Sequence, residues 1–136
     1  MVIDTSAIMA ILRKEADALR YTHAIVGDPV RLVSAATVFE AFMVATSRAG
    51  EAGGADLDEL LNVFEVEIVP VTTDHLQAAR SGFSKYGKGR HPARLNFGDC
   101  FAYALAVISG EPLLFKGADF GKTDLQAVVL PPADEP

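Results

Sequence analysis

Two rhythms organise the apolar positions of the chain. Short runs read as strands: Met1 to Asp4, which ends in an acid, Arg31 to Ser34, the β-branched stretch Glu67 to Val71 interrupted by Pro70, Leu113-Leu114-Phe115, and Ala127 to Leu130. Pro70 marks the third of these as a short or edge strand. Between them the spacing turns helical. Ile8, Ile11 and Leu12 recur at helical intervals, and a second helix covers about Ala16 to Val26 before the breaker Gly27-Asp28-Pro29. From Ala35 to Ala49, Val38, Phe39, Phe42 and Met43 mark one face of a helix closed by Gly50 and Gly53-Gly54. Leu57, Leu60, Leu61 and Phe64 define another helix, and Asp74 to about Tyr86 a further one. The last carries Phe97, Phe101, Leu105 and Ile108 on one stripe and stops at Gly110. Lys85 to Asn96 and Lys116 to Lys122 read as loops.

Strands separated by helices imply parallel β-α-β units. The expected fold is an α/β/α three-layer sandwich around a short, mainly parallel sheet. Residues 1–130 are expected to form one domain, with the proline-rich stretch 131–136 as a loose tail. There is no internal repeat or low-complexity stretch.

Composition agrees with a packed core: of 136 residues, 50% are hydrophobic and 22% charged. No apolar run approaches the roughly 20 residues that span a bilayer, and the start lacks the succession of a signal peptide, so a cytoplasmic protein without membrane association is expected. The single cysteine, Cys100, excludes an internal disulfide and a thiolate metal cluster. On an apolar helix it reads as a small buried residue, not a nucleophile. The net charge of −6 argues against a surface that attracts nucleic acid everywhere. Cations held by some of the acids would reverse the local potential.

Four acids stand out by position. Asp4 and Asp119 follow predicted strands, Asp99 opens a helix, and Glu40 lies about one turn inside the helix after the second strand. In open α/β sheets ligands gather beyond the carboxyl ends of the strands, where all four can converge. Carboxylates crowded in a cleft repel and lose hydration, which a hard divalent cation offsets. Magnesium prefers such oxygen ligands. The chemistry that follows is phosphodiester hydrolysis by an activated water. Asp4 and Asp99 are assigned as the main ligands, Asp119 as a second ligand or water-mediated contact, and Glu40 as a ligand or water-orienting base. Gly98 and Ala102 are small and leave access to Asp99.

Blander readings stand beside these. Asp4 and Asp119 also suit turns, Asp99 also suits a helix cap, and Glu40 also suits a solvated helix face. Thr5 or Ser6 is expected to cap the first helix. Lys85, Lys88, Arg90, His91 and Arg94 suit either an RNA backbone or a solvated loop. His23 and His75 read as helix-surface or boundary residues. The apolar faces around Ile8 to Leu12 and Leu57 to Phe64 suit either a partner segment or the core. Asp4 with Lys116 after a late strand superficially suggests a receiver-like phosphoacceptor module, but Val66 to Val71 lacks the acid such a module requires.

The ordered set Val2-Ile3-Asp4-Thr5-Ser6-Ala7, Ser34-Ala35-Ala36-Thr37 leading to Glu40, Tyr86-Gly87-Lys88-Gly89-Arg90-His91-Pro92-Ala93, Leu95-Asn96-Phe97-Gly98-Asp99-Cys100 and Leu114-Phe115-Lys116-Gly117-Ala118-Asp119-Phe120 resembles the PIN-domain ribonucleases of the VapC toxin family. The resemblance runs from end to end. It implies a PIN-like fold and a Mg²⁺-dependent endoribonuclease, with Mn²⁺ as a substitute, that cuts tRNA, rRNA or mRNA. It further implies neutralisation by a VapB-like antitoxin and a homodimer. Carried over by motif, its site residues are Asp4, Glu40, Asp99 and Asp119, with Thr5 or Ser6 as a hydroxyl supporting Asp4. Relatives often place a Thr and another acid or amide just before the final Asp-Phe, where this chain has Phe115 to Ala118. That departure leaves Asp124 as the alternative to Asp119. A PIN fold kept only for binding, without turnover, is the remaining alternative.

Overall fold

A computed structural model describes residues 1–133. In chain order it contains β1 (Val2–Ile3), α1 (Thr5–Leu12), α2 (Ala18–Val26), β2 (Leu32–Ser34), α3 (Ala35–Val63), β3 (Glu67–Val69), α4 (Thr73–Tyr86), α5 (Phe97–Ser109) and β4 (Leu113–Leu114), then a single 3-10 turn at Phe120–Lys122. The strands form one parallel sheet in the order β3-β2-β1-β4. The α/β/α expectation holds. β3 lies at the edge, where Pro70 costs no ladder bond. Of the strand expected at Ala127 to Leu130, only a bridge from Ala127 to Leu113 forms.

The alternation of side chains along the strands builds the two outer layers. Met1, Ile3, Val33 and Leu114 enter one cluster with Ile8, Tyr21, Ile25, Leu57, Leu60 and Leu61, the buried faces of α1, α2 and α3. Their neighbours Val2 and Leu113 enter the other, with Ala79 of α4 and Cys100, Ala102, Tyr103, Ala104, Leu105 and Ala106 of α5, while Leu32 packs against it. A sheet covered on both faces needs apolar residues at consecutive positions, which is why its strands read as unbroken runs. The faces of α1 and of Leu57 to Phe64, left open between partner and core, belong mainly to the core.

Several helical expectations are corrected. α3 continues from Ala35 to Val63, but Gly50 (φ 64°, ψ −148°) breaks it into two arms. Gly53 and Gly54 do not end it. They lie inside the second arm, buried against Ala45 and Phe42 of the first, because side chains there would hold the arms apart. The first arm buries Thr37, Ala41 and Ala45, while Phe39 is 62% exposed and Phe42 and Met43 also face outward. Likewise α5 turns Cys100, Ala102, Tyr103, Ala104, Leu105 and Ala106 inward, and leaves Phe97 82% exposed. Small residues take much of the inner faces because these helices lie close to the sheet and to each other, so burial at those positions follows backbone distance more than side-chain size.

His75 is buried at the start of α4, with its Nδ1 unpartnered, contrary to a surface placement. His23 is half-buried in the last turn of α2. The expected loose tail begins with an anchor, since Arg20 Nε donates to the Pro131 carbonyl at 2.7 Å. Its last three residues, 134–136, lie outside the described ones.

A Cβ added at Gly53 would collide with the Ala45 carbonyl, whose carbon would lie 2.7 Å away. Gly53→Ala is therefore expected to destabilise the fold by about 1–3 kcal/mol, although alanine is the better helix former by about 1 kcal/mol. Urea unfolding checks this, and a variant at least as stable as the parent would contradict the close approach of the two arms.

Candidate active site

The carboxyl end of β1 delivers Asp4, which is only 3% exposed. Asp4 itself caps α1, in place of the expected Thr5 or Ser6. Its Oδ2 accepts from the Ser6 amide at 3.0 Å and from the Ser6 hydroxyl at 2.6 Å. The Ser6 Oγ in turn accepts from the Lys116 amide at 2.9 Å, which ties the end of β1 to the chain leaving β4. Asp4 Oδ1 is buried and has no hydrogen-bond partner. Burial pushes the Asp4 carboxyl above its ordinary range; the Ser6 hydrogen bonds oppose the shift, and the Glu40 charge adds to it.

Glu40 arrives from the second turn of α3. Thr5 Oγ1 donates to its Oε1 at 2.5 Å, and its Oε2 lies against Gly98. Asp99 sits in the first turn of α5 within a capping box. The Asn96 side chain accepts from the Asp99 amide at 2.9 Å, and Asp99 Oδ2 accepts from the Asn96 amide at 3.0 Å. The capping reading and the site reading of Asp99 are thus compatible. Desolvation raises the Asp99 carboxyl to about 6, against the Asn96 hydrogen bond, with the charges of Asp4, Glu40 and Asp119 adding to the rise in that order. The charges of three other acids thus act on this one group.

Asp119 is exposed at the start of the 3-10 turn and makes no capping bond. Asp124 is engaged elsewhere: the Tyr103 hydroxyl donates to its Oδ1 at 3.0 Å. Sequence reasoning missed two supporting features. One is the Ser6 hydroxyl as a bridge between two strand ends, for which the motif gave only the residue type. The other is the contact of Glu40 with Gly98, for which glycine in the first turn of a helix was the available signal.

The donors suit a hard cation. A buried carboxylate oxygen without a partner is costly, and an ion that shares it with a neighbouring acid removes both the vacancy and the repulsion. Among the described residues, no three acidic, histidine or cysteine side chains already surround one point. Magnesium does not require that, since it is commonly held through one or two carboxylates and keeps several waters.

The basic loop is pinned at its base and open at its cations. Arg90 lies 5.5 Å from the Phe83 ring centroid, and His91 meets the Tyr86 ring edge-on at 5.0 Å. Lys85, Lys88, Arg90 and Arg94 are exposed, and among the described residues none forms an ion pair. An apolar groove of about 440 Å³ runs between α4 and α5, lined by Leu76, Phe83, Phe97 and Cys100, and none of the four acids lines it. Burial raises the Cys100 thiol to about 11, which leaves little thiolate and fits a packing role.

Fold and carboxylate cluster together define a class, and the chain belongs to it: a family model for the PIN domain matches residues 1–125. Within that family its relatives are VapC ribonucleases. Ribonuclease VapC30 of Mycobacterium tuberculosis is 52% identical over 131 residues, covering 96% of this chain and 100% of that protein. Ribonuclease VapC of Mycolicibacterium smegmatis is 53% identical over 128 residues, covering 94% and 99%. Among solved structures, Mycobacterium tuberculosis VapC20, described as a sarcin-ricin loop cleaving toxin, superposes with a TM-score of 0.76 at 17% identity, over 96% of this chain and 98% of that one. A toxin-antitoxin complex from Klebsiella pneumoniae gives 0.68 at 15% identity, over 90% and 92%. At those identities the two structures attest to the fold alone. Membership of this family displaces the receiver-like reading.

In metal-free protein, Asp99 is expected to titrate near 6 when followed by carboxyl-carbon NMR. Asp4→Asn should lower that value yet leave it above the ordinary 3.8, because desolvation is the larger cause. The folded state holds this proton more tightly than the unfolded one. Stability without metal should therefore fall as pH rises from about 4 to about 6 and level off above. Normal titration of Asp99 would remove the case for a desolvated cluster.

Proposed function

We propose that this chain is a divalent-metal-dependent endoribonuclease that hydrolyses RNA phosphodiester bonds as the toxin of a toxin-antitoxin pair. The observation that carries the reading is the convergence of acids on Asp99, beside a buried Asp4 whose Oδ1 has no partner. Kinship with VapC ribonucleases over nearly the whole chain supports the same activity.

In this reading Asp4 and Asp99 hold Mg²⁺, with Mn²⁺ as a substitute, and Asp119 adds a direct or water-mediated contact. When bound, the ion supplies an activated water and neutralises charge on the phosphate. Ser6 fixes Asp4 in one rotamer by donating to Oδ2, which leaves Oδ1 for the cation. Thr5 holds Glu40 through Oε1, so that the carboxylate orients the attacking water and takes up its proton. Asp119 is preferred over Asp124, whose carboxylate is occupied by the Tyr103 hydroxyl. The exposed cations of the loop from Lys85 to Arg94 supply phosphate contacts along tRNA, rRNA or mRNA.

The partners proposed are a VapB-like antitoxin and a second copy of the chain, and the compartment is the cytoplasm. The VapC kinship and the solved toxin-antitoxin complex of similar fold support the antitoxin. No helix of the described residues is long and apolar enough to cross a membrane. Residues 1–130 act as one catalytic unit in this reading.

Cleavage of a labelled RNA in Mg²⁺ is the deciding measurement. Asp4→Asn and Asp99→Asn should each lower kcat by more than about 100-fold, Ser6→Ala by about 10- to 100-fold, and chelation of the metal should abolish turnover. Equal activity in the parent and both Asp→Asn variants would refute the assigned site. Absence of cleavage by the parent would favour a PIN fold used only for binding.

A further inference from the structure

Glycine is a poor choice for the first turn of a helix, yet Gly98 occupies the second position of α5. Its backbone does not demand glycine, since it lies outside the left-handed region. Neither does packing against the core. What fills the space of a side chain there is the Glu40 carboxylate: a Cβ at Gly98 would overlap Oε2 and Cδ outright and stand 2.8 Å from Oε1.

We infer that Gly98 is a positioning residue for Glu40, its missing side chain forming the seat that lets the Glu40 carboxylate lie on the first turn of α5 beside Asp99. This rests on the reading above, in which Glu40 works in the site. Glu40 is gripped from two sides. Thr5 of α1 donates to Oε1, and α5 receives Oε2 at Gly98. The amino end of α5 also favours the negative charge brought against it. A methyl group at position 98 removes the seat. Because Glu40 is long and flexible, its carboxylate swings away and the backbone stays, unlike at Gly53, where the obstacle is a main-chain carbonyl. The residue beside Asp99 therefore sets where the water-orienting group stands.

The test compares the parent with Gly98→Ala, Glu40→Ala and the double variant, by RNA cleavage in Mg²⁺ and by thermal melting without metal. Gly98→Ala is expected to lower kcat about tenfold or more, with KM within about twofold and Tm not reduced. In the Glu40→Ala background the same change should raise Tm by more than in the parent, because alanine's helical advantage is no longer opposed, and should not lower kcat further. A Gly98→Ala enzyme with kcat within about twofold of the parent overturns the inference and leaves the ribonuclease reading intact. So does an equal Tm shift in both backgrounds, or an equal fractional loss of kcat. Parental kcat in Glu40→Ala overturns the role of Glu40 itself, and the positioning role with it.

Discussion

Anionic oxygens crowded where water is scarce repel one another, and this constraint shapes the site. Asp4 is buried, Asp99 is held near a titration midpoint of about 6, and Glu40 and Asp119 add their charges to the same region. Three of these acids accept a hydrogen bond that eases the cost, two from a close neighbour in the chain and one from a distant residue. Asp4 leans on Ser6, Asp99 on Asn96, and Glu40 on Thr5. These donors reduce the cost without cancelling it, since Asp4 Oδ1 remains unpaired. A stored electrostatic cost that a cation relieves is the signature of a site built for function at some expense of stability.

The scaffold makes that cost tolerable. A parallel sheet covered on both faces aligns its strand ends along one edge, so β1 and β4 release Asp4 and Lys116 side by side. The Ser6 hydroxyl then joins the two exits through one donated and one accepted hydrogen bond. Helix α5 contributes its amino end from the opposite layer, and α3 sends Glu40 across to meet it. The hard edges of the fold are backbone contacts, such as Gly53 on the Ala45 carbonyl; the soft ones, such as Gly98 on Glu40, are contacts with a mobile side chain. A change at the first kind acts on folding, and a change at the second acts on the geometry of the site.

The alternation of strand-like and helix-like stretches was enough to specify a parallel α/β/α sandwich, because strands buried on both faces leave unbroken apolar runs that local sequence cannot disguise. The places of Asp4, Glu40, Asp99 and Asp119 after strands and at helix starts were legible as candidate site positions, since ligands gather beyond the carboxyl ends of strands in such folds. Inner faces of helices were harder to read. Phe39, Phe42, Met43 and Phe97 are large and apolar yet face outward, while Ala41, Ala45, Ala102 and Ala104 face inward. Size and hydropathy mislead wherever helices approach closely enough to favour alanine at part of the inner face.

Sequence by itself therefore determined most of the order of elements, the class of fold and which acids are candidates for the site, all of which follow from local periodicity and from place along the chain. Only the tertiary structure decided which oxygens are paired, that Asp124 is taken by Tyr103 while Asp119 stays free of a capping bond, that His75 is buried, and that Gly98 makes room for Glu40. The physical reason is range. Periodicity and capping act over a few residues, whereas desolvation, charge repulsion and close approach act between groups the chain brings together from afar, such as Tyr103 and Asp124, 21 positions apart, and Thr5 and Glu40, 35 apart.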